Sequence, residues 1–156
     1  LLVISVITTG IIAAQTEMIS SAVALSFFIP LLIGTGGNTG NQSATLMIRA
    51  LATGDIHAAQ WGRALVREIG IGVLLGGTMG LASWLLGFFN GGMKIAAVVA
   101  LAMTTIVIVS SVLGVILPIV LQRLRIDPAI ASNPLIASVM DILGLMIYFA
   151  VAQAIL

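Results

Sequence analysis

One carboxylate, Asp141, lies in the middle of an otherwise apolar stretch, and it is the residue whose chemistry is most informative. The most polar side chain within one helical turn of it is Ser138. An acidic side chain near the centre of a bilayer costs about 3 kcal/mol or more unless water, a partner or an ion meets it. We therefore interpret Asp141 as part of a cation path. The alternative is a structural carboxylate that hydrogen-bonds to a neighbouring helix.

Two further residues, Asn133 and Ala137, precede Asp141 by eight and four positions and share one face of a predicted helix with it. Pro134 lacks a backbone donor and so frees the carbonyl of Ile130. An amide, free carbonyls and a carboxylate on one face form an oxygen-lined surface. Oxygen ligands suit hard cations, and Mg²⁺ in particular keeps several waters and is commonly held through one or two carboxylates. The face therefore predicts a weak site that can release a hydrated ion, as conduction requires.

A second polar break is predicted around the glycine-rich run from Gly34 to Gly40, where an apolar span is expected. Polar residues in and just after this run include Asn38, Asn41, Gln42, Ser43 and Thr45. Irregular backbone at membrane depth is tolerated only when it is buried or lines a wet cavity. With Pro30 nearby, we expect the helix to kink or unwind here. The glycines alone are equally compatible with a packing notch for another helix, and the amides favour the cavity.

The elements that must position these residues follow from composition. Of 156 residues, 60% are hydrophobic and only 7% are charged, and the mean hydropathy is +1.26. Soluble domains carry roughly a quarter charged residues, so the chain is predicted to be an all-α polytopic membrane domain. Five stretches approach the roughly 20 residues that a span needs. They cover about 1–14, 20–47, 69–89, 94–121 and 128–155, and an amphipathic helix at the membrane interface is expected over 49–68.

The basic residues predict the orientation of these five spans. Five of the six lie in the second and fourth connections, which fall on the same side of the membrane, and Lys94 falls on the opposite side. The positive-inside rule then places the N-terminus in the cytoplasm and the C-terminus outside, in a multi-pass protein of the cell membrane. The sequence contains no cysteine and no basic tract, so we expect neither thiolate metal sites nor nucleic-acid binding.

Small residues recur at intervals of four in the third and fourth predicted spans. They are Gly72, Gly76 and Gly80, followed by Ser110, Gly114 and Pro118. Such stripes allow membrane helices to approach closely, so we interpret them as packing surfaces.

Two motifs resemble the MgtE family of magnesium transporters and channels, whose module the eukaryotic solute carrier 41 proteins share. The first is Pro-Leu-Leu-Ile-Gly-Thr-Gly-Gly-Asn-Thr-Gly-Asn-Gln at 30–42, followed by Arg49 and Gly54-Asp55-Ile56. The second is Asp-Pro-Ala-Ile-Ala-Ser-Asn-Pro at 127–134, followed by Asp141-Ile142-Leu143-Gly144. Both motifs are in register with the five-span layout, so the resemblance covers essentially the whole chain.

The resemblance implies a homodimer of five-helix subunits, with a pore on the two-fold axis lined by the second and fifth spans. It assigns the pore carboxylate to Asp141, with Asn133 and the carbonyl of Ala137 on the same span. It assigns Gly37 and Asn38 on the second span to the same metal path. Residues 1–156 would form the transmembrane domain, which we expect to be an excerpt of a longer protein. The cytosolic magnesium-sensing domains that usually precede this domain, including a CBS pair, are not in the chain.

These observations predict Mg²⁺ transport into the cytosol through a dimeric pore in the lipid bilayer, and no enzymatic activity. Two symmetry-related carboxylates facing the axis would carry a charge near that of one divalent ion, with water or a cation between them. Three alternatives stay open. They are a carrier or exchanger for other divalent cations such as Mn²⁺ or Co²⁺, a non-conducting subunit, and an intramembrane aspartyl protease.

Overall fold

The computed structural model describes residues 2–55 and 61–156, and the regular elements of these residues are all α-helices. They are α1 (Leu2–Ala14), α2 (Thr16–Ser21), α3 (Ala24–Thr53), α4 (Trp61–Arg123) and α5 (Pro128–Ile155). The predicted all-α class is therefore confirmed for the described residues. Two helices, Trp61–Arg123 and the Ser132–Ile155 part of α5, are long and apolar enough to cross a bilayer by length and composition. The five-span layout stays a prediction.

Helix α4 consists of two arms that fold back on each other. Gly92 has φ 76° and ψ −170°, which is not helical, and it separates the arm 61–91 from the arm 93–123. A Cβ added to Gly76 would lie 2.9 Å from the Thr104 carbonyl oxygen, so the two backbones nearly touch there. Gly87 is equally close to Ala96. The arms are therefore antiparallel, and they correspond to the predicted stretches 69–89 and 94–121 with their turn at 90–92.

The second arm of α4 forms the centre of the bundle. The apolar side chains on one face of this arm are almost completely buried, and together with residues of α3 and α5 they form one core. Members of this core from the second arm are Ile95, Val98, Val99, Ala102, Met103, Ile106 and Val107. Helix α1 packs against α5, and the short α2 connects α1 to the start of α3. The second arm therefore sets the positions of the two helices that carry the candidate site.

Two sequence predictions about α3 are wrong. The helix stays helical through Pro30 and through the whole glycine run, so it does not unwind there, and the alternative of a kink stays a prediction. It also continues to Thr53 and ends at Gly54, whose φ of 75° is the left-handed conformation typical of a helix C-cap. Residues 49–53 thus belong to α3 and residues 61–68 begin α4, so no separate interface helix covers 49–55 or 61–68. The predicted interface helix also included residues 56–60, which lie outside the described part of the chain.

We predict that Gly114→Ala destabilises the protein, because an added Cβ would lie 2.5 Å from the Gly40 carbonyl oxygen and 3.0 Å from the Ala44 backbone nitrogen. Backbone atoms cannot move aside as a flexible side chain can, and overpacking of this kind costs about 1–3 kcal/mol. Gly77→Ala is the matched control, because nothing lies within 4 Å of its Cβ position. Alanine favours the helix there, so this variant should be as stable as the parent or slightly more stable. Thermal unfolding in detergent measures both, and equal melting temperatures would contradict the prediction.

Candidate functional site

Helix α5 begins as the sequence predicts and carries Asp141 far from its start. The Asp127 carboxylate caps the helix by accepting a hydrogen bond from the Ala129 backbone N–H at 2.9 Å, and Pro128 follows it as the first helical residue. The helix then continues through Pro134 to Ile155. At 1.5 Å per residue, Asp141 lies about 21 Å along the axis from Asp127.

The three predicted residues of α5 lie on a partly open face. Asp141 and Ala137 are half-buried, and Asn133 is exposed. The adjacent residues Met140 and Ile136 are completely buried in the core. Asp141 thus lies beside the helix-packing surface and is not buried within it.

The glycines of α3 form two pairs with different surroundings. A Cβ on Gly36 would lie 2.7 Å from the Ile106 side chain and 3.2 Å from that of Met140, and a Cβ on Gly40 would lie 2.7 Å from Ile136. This pair is a packing notch for the second arm of α4 and for α5. A Cβ on Gly34 or Gly37 would have no neighbour within 4 Å. The packing interpretation is therefore correct for the first pair, and the second pair lies on an open side of the helix.

Helices α3 and α5 are antiparallel, and three close approaches fix their register. They are Ile33 with Gly144, Gly36 with Met140, and Gly40 with Ile136. Gly37 and Asn38 consequently lie at the same level as Ala137, within about one turn of Asp141. Asn133 lies about one turn further toward the start of α5. The register thus brings four of the five predicted site residues within about one helical turn of each other along the helix pair, and Asn133 lies about one turn beyond them.

Hydrogen bonds from side-chain hydroxyls hold α3 at this register. The Ser110 hydroxyl, on the second arm of α4, donates to the Gly36 carbonyl within the notch. The Tyr148 hydroxyl donates to the Leu25 carbonyl at 2.8 Å and fixes the other end of α5 against the start of α3. The sequence identified Ser110 only as a small residue in a packing stripe. Its hydrogen bond depends on a contact between residues 74 positions apart, which spacing alone does not reveal.

Neutral oxygen atoms continue the open side of α3 beyond Asn38. A shallow cavity of about 520 Å³ is lined by Asn38, Asn41, Gln42, Thr45 and Leu46. The Oδ1 atom of Asn41 is buried and has no hydrogen-bond partner among the described residues. Within that same part of the chain no group of three or more His, Cys, Asp or Glu residues could hold a metal ion. Around this register a single chain therefore offers one carboxylate, that of Asp141, and several amide oxygens of α3. Such a set of groups is suited to contact with the waters of a hydrated cation.

Comparison with known proteins agrees with this chemistry. The family model MgtE, described as "Divalent cation transporter", matches residues 29–151. The chain belongs to the MgtE family. It is 42% identical over 158 residues to the magnesium transporter MgtE of Thermus thermophilus, a match that covers 100% of this chain and 35% of that protein. Proteins of the same name from Bacillus subtilis and Enterococcus faecalis are 36% and 31% identical, with 99% and 98% of this chain covered.

The family membership confirms the resemblance seen in the two sequence motifs. It also sets aside the intramembrane protease alternative, because the MgtE relatives are transporters and not enzymes. The chain spans about a third of the length of these relatives, 34–35% in each case.

We predict that Ser110→Ala loosens the contact between α3 and α4. It removes the hydroxyl that bonds to the Gly36 carbonyl, which should cost about 1 kcal/mol of unfolding free energy. Ser26→Ala is the control, because the Ser26 hydroxyl bonds only to the carbonyl of Val23, three residues earlier. Its loss should change stability by less than about 0.5 kcal/mol. Thermal unfolding of the two variants in the same detergent compares them, and an equal or larger effect at Ser26 would refute the assignment.

Proposed function

We propose that this chain is the membrane domain of a magnesium transporter, and that Asp141 binds the hydrated ion in a pore between two copies of the chain. One observation carries the proposal. In a member of the MgtE family, a lone carboxylate lies half-exposed within a long apolar helix, at the level of open glycine and amide groups on α3. Intramembrane carboxylates are functional by default, because their burial is costly.

The charge balance supports a two-fold arrangement. Each copy contributes one carboxylate at this depth, so two copies that face each other supply two negative charges for one divalent cation. The two carboxylates would repel each other across a dry gap, so water or the cation itself separates them. The open faces of α3 and α5 beside Asp141 would line this gap and form the pore.

The neutral groups near Asp141 would act on the water shell of the ion. Mg²⁺ loses its waters reluctantly, so the Asn133 and Asn38 amides and the Ala137 and Gly37 carbonyls would accept hydrogen bonds from those waters. A site built in this way holds the ion weakly, and weak binding permits rapid release. Strong direct ligation by several carboxylates would favour storage instead.

We also propose the orientation of the domain in the cell membrane. Five spans with the N-terminus in the cytoplasm place Arg49, Arg63 and Arg67 on the inner side, as the positive-inside rule requires. Inward movement of a divalent cation then follows the membrane potential, which contributes about 4.6 kcal/mol per 100 mV for two charges. The ion therefore moves down its electrochemical gradient into the cytosol.

We expect Asp141→Asn in the full-length protein to reduce magnesium uptake at least tenfold. The substitution keeps the side-chain size and removes the charge that attracts the cation. Uptake into proteoliposomes is measured with a magnesium-sensitive dye, and gel filtration verifies that the variant is folded. Glu17→Gln, which removes an exposed carboxylate next to α1, is the control and should retain uptake. Normal uptake by Asp141→Asn would refute the proposed role.

The same assay distinguishes magnesium transport from general divalent-cation exchange. Mn²⁺ and Co²⁺ are added at the concentration of Mg²⁺, and entry of each ion is measured separately. Preferential Mg²⁺ entry supports the proposal. Faster entry of Mn²⁺ or Co²⁺, coupled to exit of sodium ions or protons, would support the exchanger alternative.

The two-fold pore predicts that Ala137 faces its counterpart in a second copy. The chain has no cysteine of its own, so single-cysteine variants of this domain can be labelled cleanly. Ala137→Cys should form covalent dimers with a short bifunctional maleimide in the membrane. Ala82→Cys, on the exposed side of the first arm of α4, should not. Denaturing gel electrophoresis reads the result, and equal cross-linking of both variants would argue against the pore.

A further inference from the structure

A second cavity, of about 400 Å³, lies between the end of α3, the start of α4 and the second arm of α4. We refer to it as the arginine cleft. Its polar lining residues are Ser43, Asp55, Arg63, Arg67 and Glu68, and the rest of its lining is apolar. A volume of this size is typical of ligand-binding cavities. None of the five residues assigned to the ion path lines it.

The polarity of the arginine cleft changes along its length. Asp55 and Arg63 lie at its outer end, close to the end of α3 and the start of α4. Ile71 and Val115 lie deeper along the helices, where the hydrogen-bonded pair of Ser43 and Glu68 is the polar group. Its wall also contains apolar side chains that stay open to the surroundings, with Leu46 65% exposed and Ile71 41% exposed. A ligand that matches this cleft has a charged end and an apolar continuation.

The charged groups of the cleft are balanced in sign. Arg63 and Arg67 are four residues apart on α4, so their guanidinium groups project from one helix face. Two carboxylates, Asp55 and Glu68, line the same cavity. One oxygen of Glu68 accepts a hydrogen bond from the Ser43 hydroxyl, and the other oxygen can accept from a ligand. The cleft therefore offers a site for an anion and a site for a hydrogen-bonding cation.

We propose that the arginine cleft binds a zwitterionic phospholipid whose headgroup bears a primary ammonium. Its phosphate would bind Arg63 and Arg67, because guanidinium groups match phosphate oxygens in a bidentate manner. Its ammonium would donate to Glu68, and the start of an acyl chain would follow Leu46 and Ile71. The site is separate from the ion path, and only its place at the membrane surface rests on the orientation given under the proposed function.

Charge and position together favour this class of lipid over other ligands. A choline headgroup has no N–H donor for the carboxylates, and an anionic headgroup would bring its charge close to Glu68. Basic pockets between membrane helices bind anionic lipid headgroups at the membrane surface, and the arginine cleft differs from them because it also contains carboxylates. In the five-span layout, Arg63 and Arg67 lie at that surface, on the cytoplasmic side.

The test uses full-length protein that has been delipidated in detergent and then titrated with phospholipids of identical acyl chains. Native mass spectrometry counts bound phosphatidylethanolamine, phosphatidylcholine and phosphatidylglycerol. The parent protein should bind phosphatidylethanolamine about tenfold more tightly than phosphatidylcholine, which corresponds to about one charge-assisted hydrogen bond. Glu68→Gln keeps an acceptor for Ser43, and it should remove most of this preference.

A double variant, Arg63→Gln with Arg67→Gln, should weaken binding of every phosphate-bearing lipid about tenfold. Its matched control is Arg123→Gln with Arg125→Gln, which removes the same charge at the end of α4 outside the cleft and should leave binding unchanged. Equal losses in the two double variants would overturn the proposal, as would tighter binding of phosphatidylglycerol. Absence of lipid binding by the parent protein, as expected if a peptide fills the cleft, would also overturn it. If the Arg63/Arg67 variant fails to fold, the Glu68→Gln variant decides, and an unchanged preference for phosphatidylethanolamine over phosphatidylcholine would overturn the proposal.

Discussion

The second arm of α4 makes close backbone contacts with α3 and with the first arm of α4, and the bundle depends on these contacts. Gly114 leaves room for the Gly40 carbonyl, and Gly36 leaves room for Ile106 and Met140. Helices in lipid gain little from the hydrophobic effect, so they associate through dense packing of small residues and through hydroxyl hydrogen bonds. Ser110 and Thr104 supply such bonds to glycine carbonyls on either side, at Gly36 and Gly76. The depth at which α3 meets α5 follows from these contacts.

This packing explains how α3 carries polar chemistry without losing its helical backbone. Gly36 and Gly40 are one turn apart and face the core, whereas Gly34, Gly37 and Asn38 lie on open sides. The backbone hydrogen bonds of the helix are retained, and side-chain amides supply the polar surface. An ion path beside such a helix would use the side chains and carbonyls of intact helices, which are more rigid than an unwound segment.

The sequence predicted the helices and the chemical groups well, but it did not predict how they meet. Asp127 and Pro128 marked the start of α5, and residues 90–92 marked the turn in α4. The apolar surroundings of Asp141 made it a candidate, and its role stays a prediction. The prediction of unwinding in α3 was wrong because it treated the glycine run as a single unit. Gly36 and Gly40 are four residues apart, so both face the core from an intact helix. The interface helix was wrong because Gly54 ends α3 later than the arginines suggested. The register of α3 against α5 and the Ser110 bond arise from tertiary contacts, which local patterns do not contain.

The short turn at Gly92 limits how the two arms of α4 can move relative to each other. Gly92 is the one residue between the arms of α4 whose backbone is not helical, so the hairpin has almost no slack at its tip. Neither arm can slide past the other by even one turn of about 5.4 Å without breaking the glycine contacts along their length. The two arms therefore form one rigid unit. Any movement of α3 or α5 would therefore take place against this unit.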